Sequence, residues 1–96
     1  MNAPRDKEHV VITVLGANRP GILAGITRVI ADANVNVLDV SQRIMQDMVA
    51  LMMVTDLTGA SCTFDEFQAR MLKTGEELKV KIIVQHEDVF KYMHRL

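Results

Sequence analysis

The residues best suited to bind a small molecule lie between Asn18 and Leu23, in the segment NRPGIL. Pro20 fits the first turn of a helix, because the N–H that proline lacks would have no intrahelical acceptor there. The N–H groups of that turn carry a partial positive charge, so a carboxylate could dock against them. Gly21 has no side chain and lets a ligand approach the backbone closely. The same segment also fits a strand-to-helix turn that binds nothing.

Two polar residues in the following strand are the next candidates. If that strand pairs antiparallel with its copy in a second subunit, the partner subunit's Asn36 is carried toward the loop, where its amide could contact the ligand. The carboxylate of Asp39 could pair with a ligand ammonium group. The alternatives are that Asn36 completes the turn before the strand, and that Asp39 belongs to the solvated face of an edge strand.

Histidine and cysteine offer weaker signals. Antiparallel pairing of the first and last strands would bring His9 close to His86, with acidic residues beside them. Two imidazoles without a third ligand at a defined spacing are poor evidence for a metal site. Cys62 is the only cysteine. It excludes an intrachain disulfide and a CxxC site, and no histidine near it in sequence could activate its thiol. We therefore predict no metal, no cofactor and no catalytic residue.

Composition narrows the class of protein. The chain has 96 residues and a formal net charge of −1. This length fits one domain, and the interleaved charges provide no basic surface for nucleic acid. No apolar run is long enough to cross a membrane. We expect residues 1–8 to form a flexible N-terminal tail and residues 9–96 a single domain. A lone cysteine suits a reducing compartment, which predicts a cytoplasmic location.

The apolar pattern predicts the elements that position these residues. Strands are expected at 9–16, 35–46, 48–56 and 79–86, and helices at 20–34, 63–78 and 87–95. Thr63 followed by Glu66 fits a capping box at the start of the second helix. The order predicts an α+β fold, a ferredoxin-like βαββαβ sandwich. Its four-stranded antiparallel sheet would have the strand order 4-1-3-2, with two helices on one face and an extra C-terminal helix.

The sheet face opposite the two helices should alternate toward polar residues if it met water. The first and third strands do not follow this pattern, because both of their faces are apolar. An uncovered apolar patch usually marks an interface, so we expect self-association, with a dimer as the first choice. The alternative is that the C-terminal helix folds across the patch.

The stretch from Leu15 to Gln42 resembles the ACT domain. The residues that match its loop and first helix are Pro20, Gly21, Ile22, Leu23 and Ile26, and those that match the start of its second strand are Asn36 and Val37. The element order extends the resemblance over residues 9–86. The added helix is similar to that of small stand-alone ACT proteins of bacteria and archaea.

The resemblance implies a function. ACT domains bind amino acids or similar small effectors at this loop, commonly at a dimer interface, and act as regulatory modules. The residues then expected to bind the ligand are Asn18, Arg19, Pro20, Gly21, Ile22, Leu23, Asn36 and Asp39. The expected partners are an amino-acid effector, further copies of the chain, and an enzyme or regulator under its control, with no nucleic acid and no membrane. The chain carries no catalytic domain of its own, so what it would regulate is not indicated.

Two other functions fit the same fold. An acylphosphatase needs an arginine in a glycine-rich loop and an asparagine that orients water. Arg19 lies in the equivalent loop, but the surrounding glycines are missing and no asparagine clearly matches in the second and third strands. The other alternative is a scaffold that binds only proteins. The sequence favours the regulatory module and does not predict an enzyme.

Overall fold

A computed structural model describes residues 8–94. The elements in chain order are β1 (His9–Ala17), α1 (Ile22–Asp32), β2 (Asn36–Met45), β3 (Met48–Asp56), α2 (Phe64–Leu78), β4 (Lys81–His86) and α3 (Glu87–His94). The predicted order is confirmed, and the predicted bounds differ from these by at most two residues. Apart from Glu8, the predicted flexible tail lies outside the described residues, as does Arg95 of the predicted last helix.

The four strands form one antiparallel sheet in the order β2-β3-β1-β4. The central strand β1 pairs with β3 on one side and with β4 on the other, and β2 pairs with β3. Strands β1 and β2 are therefore parallel to each other, as a right-handed crossover through α1 requires. This is the predicted 4-1-3-2 arrangement, and it confirms the ferredoxin-like fold.

The core lies between the sheet and the pair of helices α1 and α2. Alternate residues of β1 point into it, and each of Val10, Ile12 and Val14 is fully buried. Phe67 and Met71 of α2 are buried opposite them. Burial of side chains of this size contributes about 1.5–3 kcal/mol each. The packing of the helices on this face fixes where the N-terminus of α1 meets the sheet.

Strand β2 is an exposed edge of the sheet. Of its ten residues only Val37 is half-buried, and the other nine are exposed. The pairing with β3 shifts register between Val37 and Asp39, as at a β-bulge. Beyond this shift, Asp39, Ser41 and Arg43 lie on the face away from the helices, as their alternation predicts.

The face away from α1 and α2 is divided into two halves. Helix α3 covers the half near the start of β1, where Val11 is only 2% exposed and Gln85 Nε2 lies 3.4 Å from Met93 Sδ. The other half remains open, and its apolar residues are exposed there: Leu15 is 42% exposed and Met48 is 46% exposed. The C-terminal helix therefore covers one half of the face, as the alternative expected, and the open half is the apolar patch for which self-association stays a prediction.

Candidate functional site

A cavity of about 130 Å³ opens between the β1–α1 loop, the first turn of α1 and the neighbouring ends of β2 and β3. Its lining residues are Asn18, Arg19, Gly21, Ile22, Leu23, Ala24, Gln42, Val49 and Leu51. They include five of the eight residues predicted from the sequence. Pro20 lies in the same loop, exposed, without lining the cavity.

The first turn of α1 has no acceptor of its own for its leading N–H groups. Its N-cap is Gly21, in the left-handed conformation at φ 90°, and no side chain caps the helix. The first turn also contains no acidic residue. The carbonyl of Gly21 already accepts the N–H of Gly25 at 2.9 Å, so the helix is regular from its start. The partial positive charge of this terminus is thus left uncompensated beside the cavity.

The loop is held in place from two sides. The backbone N–H of Asn18 donates to the carbonyl of Asp47, in the β2–β3 turn, over 2.7 Å. The Arg19 guanidinium donates to the carbonyl of Leu78, at the last residue of α2. A cation suits that position, because the C-terminus of a helix carries a partial negative charge. These two hydrogen bonds anchor the β1–α1 loop to the β2–β3 turn and to the end of α2.

The floor of the cavity is apolar with one polar side chain at its edge. Val49 and Leu51 are buried there, whereas Gln42 of β2 is exposed. Sequence reasoning missed Gln42. The available signal was its polar side chain between Val40 and Ile44, on the face of β2 that otherwise points toward the helices. Its amide can both donate and accept a hydrogen bond.

The other two predicted residues lie away from the cavity in their own subunit. Asn36 begins β2 opposite Asp56, at the far end of the strand from Gln42. Asp39 is paired with Val54 and lies on the opposite face of the sheet from the cavity floor. Both are exposed. Contact with a ligand in the cavity would therefore have to come from a second copy.

His9 and His86 lie at the other end of the sheet, and each has its own acidic neighbour. His9 Nδ1 lies 3.1 Å from Glu87 Oε1, and His86 Nε2 lies 3.9 Å from Glu8 Oε2. The His86 ring also stacks on Phe64 with 4.0 Å between centroids. Within residues 8–94, no three histidine, cysteine or acidic side chains are placed to hold a metal ion together. The same stretch contains no helix that is long and apolar enough to cross a membrane.

Comparison with known proteins identifies the relatives. A family model for the ACT domain matches residues 8–85. A UPF0237 protein of Methanocaldococcus jannaschii is 49% identical over 88 residues, which cover 92% of this chain and 98% of that protein. A solved ACT domain protein from Streptococcus pneumoniae gives a TM-score of 0.76 at 28% identity, covering 90% of this chain and 97% of the other.

A more distant solved structure has the same fold. The regulatory subunit of aspartate kinase from Thermus flavus gives a TM-score of 0.62 at 17% identity, covering 83% of this chain and 52% of that one. At this identity the likeness concerns the fold alone.

Proposed function

Since the chain belongs to the ACT domain family, we propose that it is a regulatory module that binds an amino acid in the cavity beside Gly21 and acts as a cytoplasmic homo-oligomer. The observation that carries the proposal is an uncapped helix N-terminus, without a first-turn acid, at the edge of a preformed cavity. Backbone N–H groups at such a terminus bind a carboxylate well.

The chemistry of the lining suits a small zwitterion. The carboxylate of the bound amino acid would accept hydrogen bonds from the N–H groups of Ile22 and Leu23. The side chain of the amino acid would pack on Val49 and Leu51. The volume of about 130 Å³ favours a small or medium amino acid. The amide of Gln42 stands at the edge, where it could bond either end of the ligand.

A second subunit would complete the site. Antiparallel pairing of β2 with its copy would bring the partner subunit's Asn36 toward the β2–β3 turn of the first subunit. That turn holds the loop, through the bond from Asn18 to Asp47. The ammonium contact predicted for Asp39 gains no support from its position on the opposite face of the sheet, and we leave it out of the proposed ligand set.

The names of related proteins are in keeping with this role. The T. flavus neighbour is named as a regulatory subunit, and the name of the M. jannaschii relative states no enzymatic activity. The acylphosphatase alternative has less support, because the Arg19 guanidinium is engaged by the Leu78 carbonyl at the end of α2 instead of cradling an anion in its own loop.

The experiment is a thermal-shift screen of amino acids, extended to purines, on the purified protein. A ligand present at about a hundred times its Kd adds roughly 2.7 kcal/mol to the free energy of unfolding, which raises the melting temperature by several degrees. We expect at least one amino acid to do so, with a smaller shift in Asn36→Ala. No shift from any of them would leave only the protein-binding scaffold.

Gly59→Ala provides a matched control for Gly21→Ala. Both glycines have positive φ, 90° at Gly21 and 86° at Gly59, and an added Cβ would meet no atom within 4 Å at either place. Both alanines thus introduce similar backbone strain. Only the one at position 21 borders the cavity. We expect Gly21→Ala to lose the ligand shift and Gly59→Ala to keep it, and equal shifts in the two variants would contradict the proposed site.

A further inference from the structure

We propose that two copies of the chain pack face to face, with α3 of each copy lying on the open half of the other copy's sheet. The two-fold axis runs parallel to the sheet, above the cross-strand partners Thr13 and Met52, where the covered half meets the open half. This inference deepens the proposed function by naming a surface of self-association. It rests on that proposal for the existence of the oligomer and not for ligand binding.

The face away from α1 and α2 has the shape of a step. Helix α3 packs on β1 and β4 over the half that contains Val11. Because a helix with its side chains is about 10 Å thick, α3 stands above the bare strands of the open half by roughly that height. The two-fold axis sets the raised half of each copy against the open half of the other, so the two steps interlock.

The open half has the dimensions of one short helix. The axes of the outer strands β2 and β4 are about 14 Å apart, and β1 stays uncovered for about 16 Å, from Thr13 to Ala17. The eight residues of α3 form a helix about 12 Å long and about 10–12 Å wide with its side chains. It therefore fits between the outer strands without extending beyond the end of β1.

The two surfaces that meet in this packing are both apolar. On α3, Val89 is 48% exposed and Met93 is 63% exposed, and their spacing of four residues places them on one side of the helix. In the open half, Leu15 and Met52 are exposed beside a hollow of about 290 Å³. Methionine side chains adapt to such a surface. The contact removes apolar area of both copies from water.

Charge marks the same position. One row of cross-strand partners crosses all four strands of the open half: Arg43, Ala50, Leu15 and Lys81. The row has an apolar centre and an exposed cation at each end. Asp88, in the first turn of α3, is exposed as well, and none of the ion pairs found within residues 8–94 involves it or either cation.

The symmetry brings these opposite charges together. Helix α3 begins directly after His86, at one end of β4, and Lys81 lies at the other end of the same strand. The axis crosses β4 near its middle, at Ile83, which is the partner of Thr13. It therefore exchanges the two ends and places Asp88 of each copy beside the partner subunit's Lys81, where the charges attract.

Leu15→Glu tests the contact. It places a carboxylate without a partner beneath the other copy's α3, so we expect the face-to-face contact to weaken at least about a hundredfold. Sedimentation equilibrium should then give half of the wild-type mass, whatever pairing β2 makes. Leu72→Glu is the matched control, because Leu72 is 45% exposed, close to the 42% of Leu15, but lies on α2. It should keep the wild-type mass.

A charge exchange tests the geometry. Asp88→Lys and Lys81→Asp each place like charges beside each other twice in a homodimer, and each variant alone should associate about tenfold more weakly. When the two variants are mixed, both contacts again join opposite charges. A mixed dimer should therefore form at wild-type affinity, and native mass spectrometry measures its share.

Three results would each overturn the proposal: a monomeric wild-type protein, a Leu15→Glu variant of unchanged mass, or charge variants that associate no better when mixed. The second of these leaves the proposed homo-oligomer standing, with another surface as its contact. Because the amino-acid screen is read separately, an assembly that binds no ligand contradicts only the proposed function.

Discussion

The N-termini of α1 and α2 occupy equivalent places in the two βαβ-like halves of the fold, yet only that of α2 is capped by side chains. At α2 the Thr63 hydroxyl accepts the N–H of Glu66 at 3.2 Å, and the Glu66 carboxylate accepts the N–H of Thr63 at 2.9 Å. At α1 the cap is Gly21, which has no side chain to offer. One helix end is closed by its own residues and the other is left for something else to close.

Backbone conformation at the cap explains the contrast. Thr63 is extended, at φ −80° and ψ 168°, which directs its hydroxyl back to the first turn. Gly21 is left-handed, at φ 90°, a conformation that disfavours the residues that cap best. Two acids, Asp65 and Glu66, further neutralise the start of α2, whereas α1 has none. Stability alone would favour a side-chain cap at both helix ends, and the uncapped end of α1 is the one that borders the proposed ligand site.

The largest expected effect comes from giving α1 the acid that α2 already has. Ala24 lines the cavity three residues after the cap of α1, in the position that Glu66 holds in α2. Ala24→Glu should compete with the ligand carboxylate and weaken binding about thirtyfold, roughly 2 kcal/mol, without lowering the melting temperature. Isothermal titration with the best amino acid from the screen measures the loss.

The matched variant Ala24→Gln has the same size without the charge. It should bind more tightly than Ala24→Glu, and equal losses in the two would show that bulk alone is responsible. Unchanged affinity in Ala24→Glu would remove the helix end from the binding site.

A smaller effect is expected when the N-terminal cap of α2 is removed. Thr63→Ala removes the hydroxyl of the capping box and should cost about 1 kcal/mol of unfolding free energy, lowering the melting temperature by about 4–8 °C. Ligand affinity should not change, because Thr63 does not line the cavity. Denaturant titration measures the cost, and Thr63→Ser should recover most of it. An altered affinity would mean that the two helix ends are not independent.

The smallest effect concerns charge alone. Asp65→Asn keeps the size of a first-turn residue of α2 but removes its negative charge beside the helix N-terminus. We expect a loss of about 0.3–1 kcal/mol at low ionic strength, falling toward zero in about 1 M salt. Urea unfolding at the two salt concentrations measures it. A loss that does not depend on salt would point to a lost hydrogen bond instead of the helix dipole.

The fold could be predicted because its signals are local. Thr63 and Glu66 mark the start of α2 within four residues. Asn34, in the left-handed conformation at φ 57°, follows the end of α1 where the pattern indicates. How much of the sheet face opposite α1 and α2 is covered by α3 was harder to predict. Eight residues of helix span only about 12 Å, which reaches across half of the open face, and sequence gives no measure of how far such a helix reaches.

The site was only partly predictable. Pro20 and Gly21 mark the loop in sequence, so its residues could be named. Gln42 reaches the cavity because sheet order and hairpin register bring the far end of β2 beside the loop, and those are tertiary facts. Asn36 and Asp39 depend on a neighbour that a single sequence does not show. Their predicted contacts with a ligand stay predictions.

The opposite border of the sheet limits how large an assembly can grow. Strand β4 has only six residues, begins with Lys81, and passes into α3 without an intervening loop. Short borders with a lysine resist templating of another strand. If two copies join through β2, both remaining borders are of this protected kind. Association through strand edges would then stop at the dimer, because neither remaining edge strand favours pairing with another chain. The sheet of such a dimer has a fixed size and does not grow into a fibril.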